Sequence, residues 1–374
     1  MSNFTSTAAV ETPRGIDLTA HRIRHLPILV LFPHNRCNCR CVMCDIWRIQ
    51  QVREITPQDL GAQLDSLREL RVRWVVFSGG EPQLNRDLGT LSRMLRAEGI
   101  RVTLLTAGLL LERNAGAVAD LVDDITVSLD GPREVHDQIR RVPGAFDRLA
   151  RGVEAIRIFR HDIRISARCT VQKSNFARLR ETVQAAKALR LNSISFLAAD
   201  VTSEAFNRPG AWSAARQGVV ALAAEEAALL HDEIEELIRD CSEDIHNGFL
   251  AEGPEKLRRI PRHFLAHLGL IPAEAPPCNA PWVSSVIEAD GAVRPCFFHE
   301  VLGNIHEEPL VEILNSRRAQ VFREQLDIAN NPVCRRCVCS LYLPLEGTTG
   351  QPESPGLEFS DSAKNPGQHC SNRD

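Results

Sequence analysis

Short apolar runs alternate with amphipathic stretches between residues 27 and 203. The apolar runs predict six buried strands, because they are short, rich in aliphatic residues and bounded by turn signals. They lie at 27–33, 73–77, 100–105, 124–129, 163–171 and 193–197. Helical spacing occupies 87–98, 145–159 and 176–189, and Thr56-Pro57 with Asp59 predicts a further helix start. Repeated strand–helix units predict an α/β fold, either a partial barrel or an open doubly wound sheet.

The pattern changes after the sixth strand. Residues 211–247 are rich in Ala and Glu at helical spacing, 255–268 form a basic amphipathic segment, and 272–277 are a Pro-rich linker. A second cysteine-bearing unit follows, and the residues after it are rich in Gly, Ser and Pro. The predicted organisation is a lead-in at 1–26, a barrel or sheet at 27–203, a helical connecting segment at 204–277, a cysteine unit at 278–345 and a disordered tail at 346–374.

Composition restricts the partners of this chain. Its 374 residues carry a net charge of −4 with both signs mixed, which predicts no nucleic-acid or membrane partner. No apolar run reaches the roughly 18 residues of a spanning helix, and residues 1–21 contain no apolar signal segment. The twelve cysteines fall mostly in short-range sets. A reduced cytoplasm is therefore the expected location.

Cys37, Cys41 and Cys44 follow the first predicted strand with the spacing C-x3-C-x2-C. Three thiolates suit a structural zinc ion poorly, because such sites take four ligands. They suit a [4Fe-4S] cluster, whose fourth iron is then left open for another ligand. The alternative is a reduced structural cysteine cluster or a degenerate zinc knuckle.

These cysteines, followed by Ser78-Gly79-Gly80-Glu81-Pro82 after the second strand, resemble the signature of the radical S-adenosylmethionine (SAM) superfamily. The resemblance implies a partial (β/α)6 TIM-type barrel with SAM chelated by the open iron. One electron, from a flavodoxin or ferredoxin-type reductant, then cleaves SAM to a 5′-deoxyadenosyl radical that abstracts hydrogen from an unactivated C–H bond. The resemblance also implies that Gly79, Gly80 and Glu81 receive the SAM amino group. Both motifs fall at carboxyl ends of strands, where barrel sites form.

Further SAM contacts are predicted around the barrel. Met43 stands where relatives place a residue against adenine, although loop packing is an equal alternative. Ser128 and Asp130 are candidates for the ribose or the SAM carboxylate, with turn chemistry as the alternative. Strand alternation places Arg168 in the lumen, where it could bind the SAM carboxylate, and Cys169 in the core. Ala107 replaces an Asn that relatives often carry, so a polar side-chain contact is absent there.

The second unit has the pattern C-x12-G-x4-C, then a helical stretch at 309–325 and C-x2-C. Its Asp290-Gly291 predicts a hairpin turn. The unit resembles the SPASM or twitch module, a small α+β auxiliary-cluster domain. The resemblance implies that Cys278, Cys296, Cys334 and Cys337 hold one auxiliary [4Fe-4S] cluster. Cys339 could replace Cys337, and a zinc ribbon is the alternative. Cys39, Cys241 and Cys370 have no motif partner.

A cluster saturated by four cysteines is suited to electron transfer. This favours an enzyme that oxidises or epimerises a small polar molecule of the sugar or aminocyclitol type. A peptide maturase is the alternative, although residues 1–26 are too short for the leader-binding domain that such relatives often carry. A non-catalytic iron–sulfur scaffold is the second alternative. No catalytic base is assigned. Asn207, Arg208, His299 and Glu300 are candidate substrate contacts, and Cys339 and Cys241 are candidate hydrogen donors.

Overall fold

A computed structural model describes residues 21–343. The predicted lead-in (apart from residues 21–26), the predicted tail and Cys370 lie outside these residues. Six parallel strands form the first part of the chain: β1 Ile28–His34, β2 Trp74–Gly79, β3 Arg101–Thr106, β4 Asp124–Ser128, β5 Arg164–Val171 and β6 Ser193–Ala198. Each lies within two residues of its predicted bounds, because a buried parallel strand needs an apolar run that is easily read from sequence.

Helices connect the strands on the outer face. They are α1 Pro57–Gly61, α2 Leu64–Glu69, α3 Leu88–Ala97, α4 Leu111–Leu121, α5 Arg133–Arg140, α6 Ala145–Phe159 and α7 Leu179–Ala188. The predicted start of α1 is confirmed. The Thr56 hydroxyl accepts a hydrogen bond from the Asp59 backbone N–H, and the Asp59 side chain accepts one from the Thr56 N–H.

The six strands are hydrogen-bonded in sequence order and do not close on themselves. This is the predicted partial barrel. Alternation along β5 is also as predicted: Ile165, Ala167 and Cys169 are buried in the core, while Arg164, Ser166 and Arg168 line the lumen cavity.

The exposed edge of β6 is covered by residues 249–252. The backbone N–H of Ile194 donates to the Phe249 carbonyl at 2.7 Å, and that of Ala251 donates to the Ile194 carbonyl at 2.9 Å. The N–H of Phe196 donates to the carboxylate of Glu252 at 2.8 Å. This short segment therefore hydrogen-bonds to backbone N–H and C=O groups at the edge of β6, which would otherwise pair with a further barrel strand.

The segment between β6 and the second cysteine unit is helical, but not continuously. It contains α8 Ala214–Gln217, α9 Ala224–Asp240, α10 Ser242–His246 and α11 Pro254–His267. The single helical stretch expected at 211–247 is thus wrong in detail, since residues 218–223 interrupt it. Among the residues that the structure describes, no helix is long and apolar enough to cross a membrane.

The second cysteine unit contains α12 Ala280–Val283, β7 Ser284–Ile287, β8 Ala292–Arg294, β9 Gly303–Asn304, α13 Leu310–Asn315, α14 Arg317–Gln325 and α15 Pro332–Arg335. The predicted β7–β8 hairpin is confirmed, with Gly291 at φ +84° in its turn. The helix expected at 309–325 is two helices, because the Ser316 hydroxyl caps α14 by accepting from the Ala319 N–H.

The second unit is continuous with the barrel sheet, a feature that the domain bounds did not anticipate. Strand β7 pairs with β1 in parallel, with Ile28 opposite Ser284 and Leu31 opposite Ile287. The sheet therefore runs β6-β5-β4-β3-β2-β1-β7-β8-β9. Strand β1 leads directly into the first cysteine loop, whereas β8 runs antiparallel to β7, so Cys296 follows β8 at the end of the β7–β8 pair opposite to the one beside that loop.

Candidate active site: two cysteine sets and two cavities

The loop after β1 presents three free thiols with hydrogen-bond donors already directed at their sulfurs. The Cys39 N–H donates to Cys37 Sγ at 3.4 Å, and the Ile46 N–H donates to Cys44 Sγ at 3.4 Å. The guanidinium of Arg140 donates to Cys41 Sγ at 3.6 Å. Thiolates bound to a cluster accept hydrogen bonds of this kind, so the loop fits the group that its spacing predicts.

Cys39 lies among these thiols instead of packing as an isolated loop residue. It is buried, and its hydrogen bonds with Cys37 and Cys41 raise its pKa, so it stays protonated. The hydrogen bond from Cys39 is the largest cause that lowers the pKa of Cys41, to about 7. The positive charge of Arg140 also lowers it. Cys41 is therefore easily ionised, whereas burial raises the pKa of Cys44 to about 12 in the apoprotein.

Gly79 and Gly80 hold the end of β2 against the start of the cysteine loop. The Gly80 N–H donates to the His34 carbonyl at 3.2 Å, and the Glu81 N–H donates to the Arg36 carbonyl at 2.8 Å. A Cβ on Gly80 would lie 2.0 Å from the Arg36 carbonyl oxygen. Gly79 has φ +101°, and a Cβ there would meet the Phe32 ring at 2.7 Å. The missing side chains of these glycines thus allow a close approach between parts of the chain, and their predicted contact with the SAM amino group stays a prediction.

The carboxylate of Glu81 is fully buried and turned towards the end of β3. It accepts hydrogen bonds from the Thr106 hydroxyl and from the backbone N–H groups of Ala107 and Gln83. Burial raises its pKa, and these donors oppose the rise. Its contact with a SAM amino group stays a prediction; the visible role of the side chain is to tie β2 to β3.

The end of β4 separates two residues that the sequence grouped together. Ser128 is half-buried and lies beside Arg168 across the β4–β5 ladder, which keeps both as candidate SAM contacts. Asp130 is fully buried, forms an ion pair with Arg140 at 2.6 Å and accepts from the Thr170 N–H at 3.0 Å. The hypothesis that Asp130 meets ribose or the SAM carboxylate is therefore not supported, since its oxygens face protein donors.

The four cysteines of the second unit are likewise free, and polar groups surround their sulfurs. The Ala280 N–H donates to Cys278 Sγ at 3.4 Å, and His299 Nε2 lies 3.4 Å from Cys334 Sγ. Backbone N–H groups of Phe298 and His299 reach Cys296, whose pKa burial raises to about 12. The Cys337 thiol donates to the Cys339 carbonyl at 3.1 Å. Within residues 21–343, no three Cys, His, Asp or Glu side chains are grouped closely enough to hold a single metal ion, and this applies to both cysteine sets.

Family comparison decides between the cluster and zinc interpretations. The sequence model of the radical SAM superfamily matches residues 31–186, and that of the SPASM iron–sulfur cluster-binding domain matches residues 278–338.

The chain belongs to the radical SAM superfamily and carries a C-terminal SPASM domain. Its cofactors are a SAM-binding [4Fe-4S] cluster, SAM and auxiliary iron–sulfur clusters in the SPASM domain. Family membership supports the prediction of an enzyme.

Several known proteins resemble this radical SAM chain. It is 27% identical over 332 residues to the Fe-coproporphyrin III synthase of Methanosarcina barkeri, covering 83% of this chain and 80% of that protein. It is 28% identical to the pre-heme d1 synthase of Dinoroseobacter shibae over 162 residues, which are 42% of this chain and 40% of that protein. Among solved structures, Streptococcus suis SuiB bound to the precursor peptide SuiA has a TM-score of 0.60 at 15% identity, covering 86% of this chain and 72% of SuiB.

A second solved structure, anSMEcpe with bound AdoMet and Cp18Cys peptide, has a TM-score of 0.59 at 19% identity, covering 83% of this chain and 87% of that one. Both structural likenesses show the shared fold.

Two of the residues predicted to contact substrate bind the backbone at the end of the cysteine loop after β1, and we call this set of contacts the clamp. Arg208 is buried, pairs with Asp200 at 2.8 Å and donates to the Met43 carbonyl. Its guanidinium lies 3.7 Å from the Trp212 ring centre. The Asn207 side chain donates to the Asp45 carbonyl at 3.0 Å. Both residues therefore have structural partners, but both also line the second of the two cavities described below, so the prediction that they contact substrate stays a prediction.

Trp212 completes this clamp, and the sequence analysis missed it. Its indole N–H donates to the Asp45 carboxylate at 2.6 Å. Asp45 directly follows Cys44, so the clamp reaches the last cysteine of the loop. The sequence does show a Trp after the sixth strand, but nothing in its spacing from other residues indicated a contact with Asp45.

The other predicted contacts lie near the SPASM domain or in the core. His299 is buried beside Cys334, and Glu300 is exposed and pairs with Arg318 at 3.5 Å. Both line the second of the two cavities described below, so their role as substrate contacts stays a prediction. Met43 packs against the core and the cysteine loop, consistent with the packing alternative. Cys241 is buried at the end of α9 and is therefore a packing residue.

Two adjoining cavities open in the barrel lumen and beside the second cysteine set. One, of about 670 Å³, extends from the barrel lumen at Arg168 to Cys278, Cys296, Cys337 and Cys339. The other, of about 710 Å³, extends from Gly79 and Gly80 to Cys337. Phe297, Phe298 and Arg336 line both. Volumes of this size accommodate a cofactor and a substrate of considerable size.

Proposed function

We propose that this radical SAM enzyme abstracts hydrogen from a planar, carboxylate-bearing substrate of the tetrapyrrole class, held in the cavity between the barrel lumen and the SPASM cysteines. The charge of the cavity wall is the observation that carries the proposal. Seven Lys or Arg residues and three Asp or Glu residues line the cavity, in a chain whose net charge is −4. A wall with this excess of cations favours an anionic ligand.

The cations come mainly from one face of α11. Lys256, Arg259 and His263 follow one another at helical spacing and all line the cavity. Lys256 Nζ lies 3.5 Å from the buried carboxylate of Glu252, whose other oxygen is already occupied by the Phe196 N–H. Arg259 is half-buried beside Cys337. With Arg168 reserved for the SAM carboxylate, Lys256 and Arg259 are the proposed substrate cations.

Aromatic rings at the junction of the two cavities suit a flat ligand. The ring centre of Phe297 lies 5.7 Å from that of Phe32, 4.8 Å from that of Phe206 and 5.4 Å from that of Phe298. Aromatic faces pack well against conjugated rings, whereas a sugar has no such face. Cations along the wall of the first cavity and rings at its junction with the second together match a macrocycle with acidic side chains.

The names of the relatives support the same class. The Methanosarcina barkeri relative matched over 83% of this chain is an Fe-coproporphyrin III synthase, and shorter matches include heme and pre-heme d1 synthases. The chain spans under half of those shorter-matched relatives. The oxidation or epimerisation of a sugar or aminocyclitol, predicted from sequence, finds less support because an amino group would meet a cationic wall. A peptide remains the second candidate, since both structural neighbours named above hold or process peptides by their titles.

The cofactors are assigned to residues as follows. Cys37, Cys41 and Cys44 would hold the SAM-binding cluster; Cys278, Cys296, Cys334 and Cys337 would hold one auxiliary cluster; and Met43, Gly79, Gly80, Glu81, Ser128 and Arg168 would contact SAM. When bound and reduced by a flavodoxin or ferredoxin-type protein, the first cluster and SAM supply the radical that takes the hydrogen atom. The chain itself orients the substrate through Lys256 and Arg259 and limits water through the aromatic residues.

The test is a substrate panel with the anaerobically reconstituted enzyme, dithionite and SAM. Binding of iron coproporphyrin III is followed by its visible absorption, and its methyl ester, a hexose, an aminocyclitol and a peptide are compared. Deuterium-labelled members of the panel, including porphyrins with labelled carboxylate side chains, report hydrogen abstraction as deuterium in 5′-deoxyadenosine. We expect the free acid to bind at least tenfold more tightly than the ester, and the label to come from C–H positions of the carboxylate-bearing side chains of the porphyrin.

Matched variants separate the cavity charge from the surface charge. Lys256→Gln and Arg259→Gln should each weaken binding of the free acid about tenfold, which corresponds to about 1.4 kcal/mol. Arg113→Gln removes an exposed arginine on α4 and should leave binding unchanged. Equal binding of acid and ester, or deuterium transfer from the hexose, aminocyclitol or peptide instead, would reject the tetrapyrrole proposal.

A further inference from the structure

Arg140, the last residue of α5, joins a buried carboxylate to a cysteine of the SAM-binding cluster loop. One arm of its guanidinium is 2.6 Å from Asp130 Oδ2, and another donates to Cys41 Sγ at 3.6 Å. The Asp130 side chain is fully buried and that of Arg140 is 9% exposed. Neither residue lines the cavities described above.

The surrounding backbone fixes the guanidinium in this place. The Arg40 N–H donates to the Arg140 carbonyl at 3.1 Å, and the Val42 N–H donates to the Ile139 carbonyl at 2.9 Å. The end of α5 is therefore hydrogen-bonded to the residues on both sides of Cys41. On the other side, the Asp130 N–H donates to His136 Nδ1 at 3.2 Å, which ties the β4 loop to the same helix.

Cys41 differs in this respect from the other two cysteines of the loop. Cys37 and Cys44 accept from backbone N–H groups, which are neutral dipoles. The donor to Cys41 carries a full positive charge in a buried setting, where a charge acts more strongly than at the surface. Hydrogen bonds and charges at the cysteine sulfurs are among the factors that set the reduction potential of an iron–sulfur cluster.

We propose that Arg140 is a positioning residue that raises the reduction potential of the SAM-binding cluster through its hydrogen bond to Cys41, and that Asp130 limits this effect. Reduction adds one negative charge to the cluster, and a fixed cation at a ligand sulfur stabilises the more negative state. Asp130 holds Arg140 in place and offsets part of its charge. The pair thereby adjusts how easily an external donor reduces the cluster. The inference rests on the three-cysteine cluster and is independent of the substrate.

The experiment is a redox titration of the reconstituted holoenzyme without substrate. Electron paramagnetic resonance follows the cluster signal that changes when SAM is added, which separates it from the auxiliary cluster. Arg140→Gln should lower the midpoint potential so that the ratio of reduced to oxidised cluster falls at least tenfold at the wild-type midpoint, equivalent to 59 mV for one electron. Asp130→Asn, which leaves the cation unopposed, should shift the midpoint in the opposite direction.

Controls keep the inference falsifiable. Arg40→Gln removes an exposed cation next to Cys41 in sequence and should leave the midpoint within the error of the wild type. Arg140→Lys retains the charge and should recover part of the shift. If Arg140→Gln does not fold, because it leaves Asp130 buried and unpaired, the double variant Asp130→Asn/Arg140→Gln should fold and show a midpoint below the wild type. A midpoint that is unchanged in Arg140→Gln or in the double variant, or that falls in Asp130→Asn, overturns the inference.

Discussion

Both carboxylate oxygens of Glu81 accept a hydrogen bond from the hydroxyl of Thr106, at 2.9 and 3.0 Å. Glu81 ends the motif after β2, and Thr106 is the last residue of β3. The Ala107 N–H adds a third contact at 2.9 Å. Glu81, which was expected to face a ligand, thus joins the ends of β2 and β3. Its loss should destabilise the fold before it affects catalysis.

Glu81→Ala leaves the Thr106 hydroxyl and the Ala107 N–H buried without an acceptor. We expect the free energy of unfolding to fall by about 3 kcal/mol, because each unsatisfied buried group costs about 1–3 kcal/mol. Glu81→Gln, which keeps one acceptor oxygen, should cost less. Urea unfolding under anaerobic conditions measures both values. Equal losses in the two variants would contradict this account of the carboxylate.

The pH dependence of stability should also carry a signature of Glu81. Burial raises its pKa above the ordinary 4.5, so the folded state binds the proton more tightly than the unfolded state. The stability from this group is full below the ordinary pKa and declines as pH rises towards the raised value. Glu81→Gln should therefore flatten the decline in unfolding free energy above pH 4.5, relative to the wild type. If the unfolding free energy of the wild type instead rises with pH relative to that of Glu81→Gln, the carboxyl pKa is lowered in the folded state.

Gly80→Ala should prevent assembly of the SAM-binding cluster. The added Cβ would lie 2.0 Å from the Arg36 carbonyl oxygen, and backbone on both sides must move. Gly99→Ala is the matched control: Gly99 has φ +71° but open space around it, so the cost is about 1–2 kcal/mol of backbone strain. Iron content and the SAM-sensitive resonance signal distinguish them. Normal iron loading of the SAM site in Gly80→Ala would show that the loop can shift.

Arg208→Met should destabilise the cysteine loop more than Trp212→Phe. The first change leaves Asp200 buried without its cation, which costs about 3–5 kcal/mol. The second removes one hydrogen bond to the Asp45 carboxylate and should cost about 1.5–3 kcal/mol. Thermal unfolding, together with the rate of iron loss to a chelator, measures the difference. Equal destabilisation in the two variants would contradict this ranking, and a larger loss in Trp212→Phe would show that the tryptophan contributes more than the ion pair.

Cys278→Ala should separate SAM cleavage from turnover. Cys278 belongs to the SPASM set, whereas Cys37, Cys41 and Cys44 lie on the separate loop after β1. The variant should still form 5′-deoxyadenosine in the presence of dithionite but release no modified substrate, because the auxiliary cluster is the expected route for the electron. Alanine at Cys37, Cys41 and Cys44 should abolish both. Equal loss of both steps in Cys278→Ala would argue against this division of roles.

Local pattern was enough for much of the architecture. The capping box at Thr56, the bounds of α6 and the alternation along β5 each depend on residues close together in sequence, and each is found as predicted. The interruption at Ser316 was missed although its signal is local, because helical spacing continues on both sides of the cap. Predictions failed most often for polar residues that could bind either a ligand or another part of the chain. Asp130 belongs to this group.

The sequence by itself determined the chemistry available to this protein: three cysteines in one loop, a glycine-rich turn at the end of the next strand, and four further cysteines in a SPASM pattern. Only the tertiary structure decided which polar side chains face a cavity and which face each other. The pairing of β7 with β1, the partnership of Asp130 with Arg140 and the clamp of Trp212 on Asp45 all join residues distant in sequence. A buried charge takes whichever partner the packed chain places beside it, and residue spacing does not specify that partner.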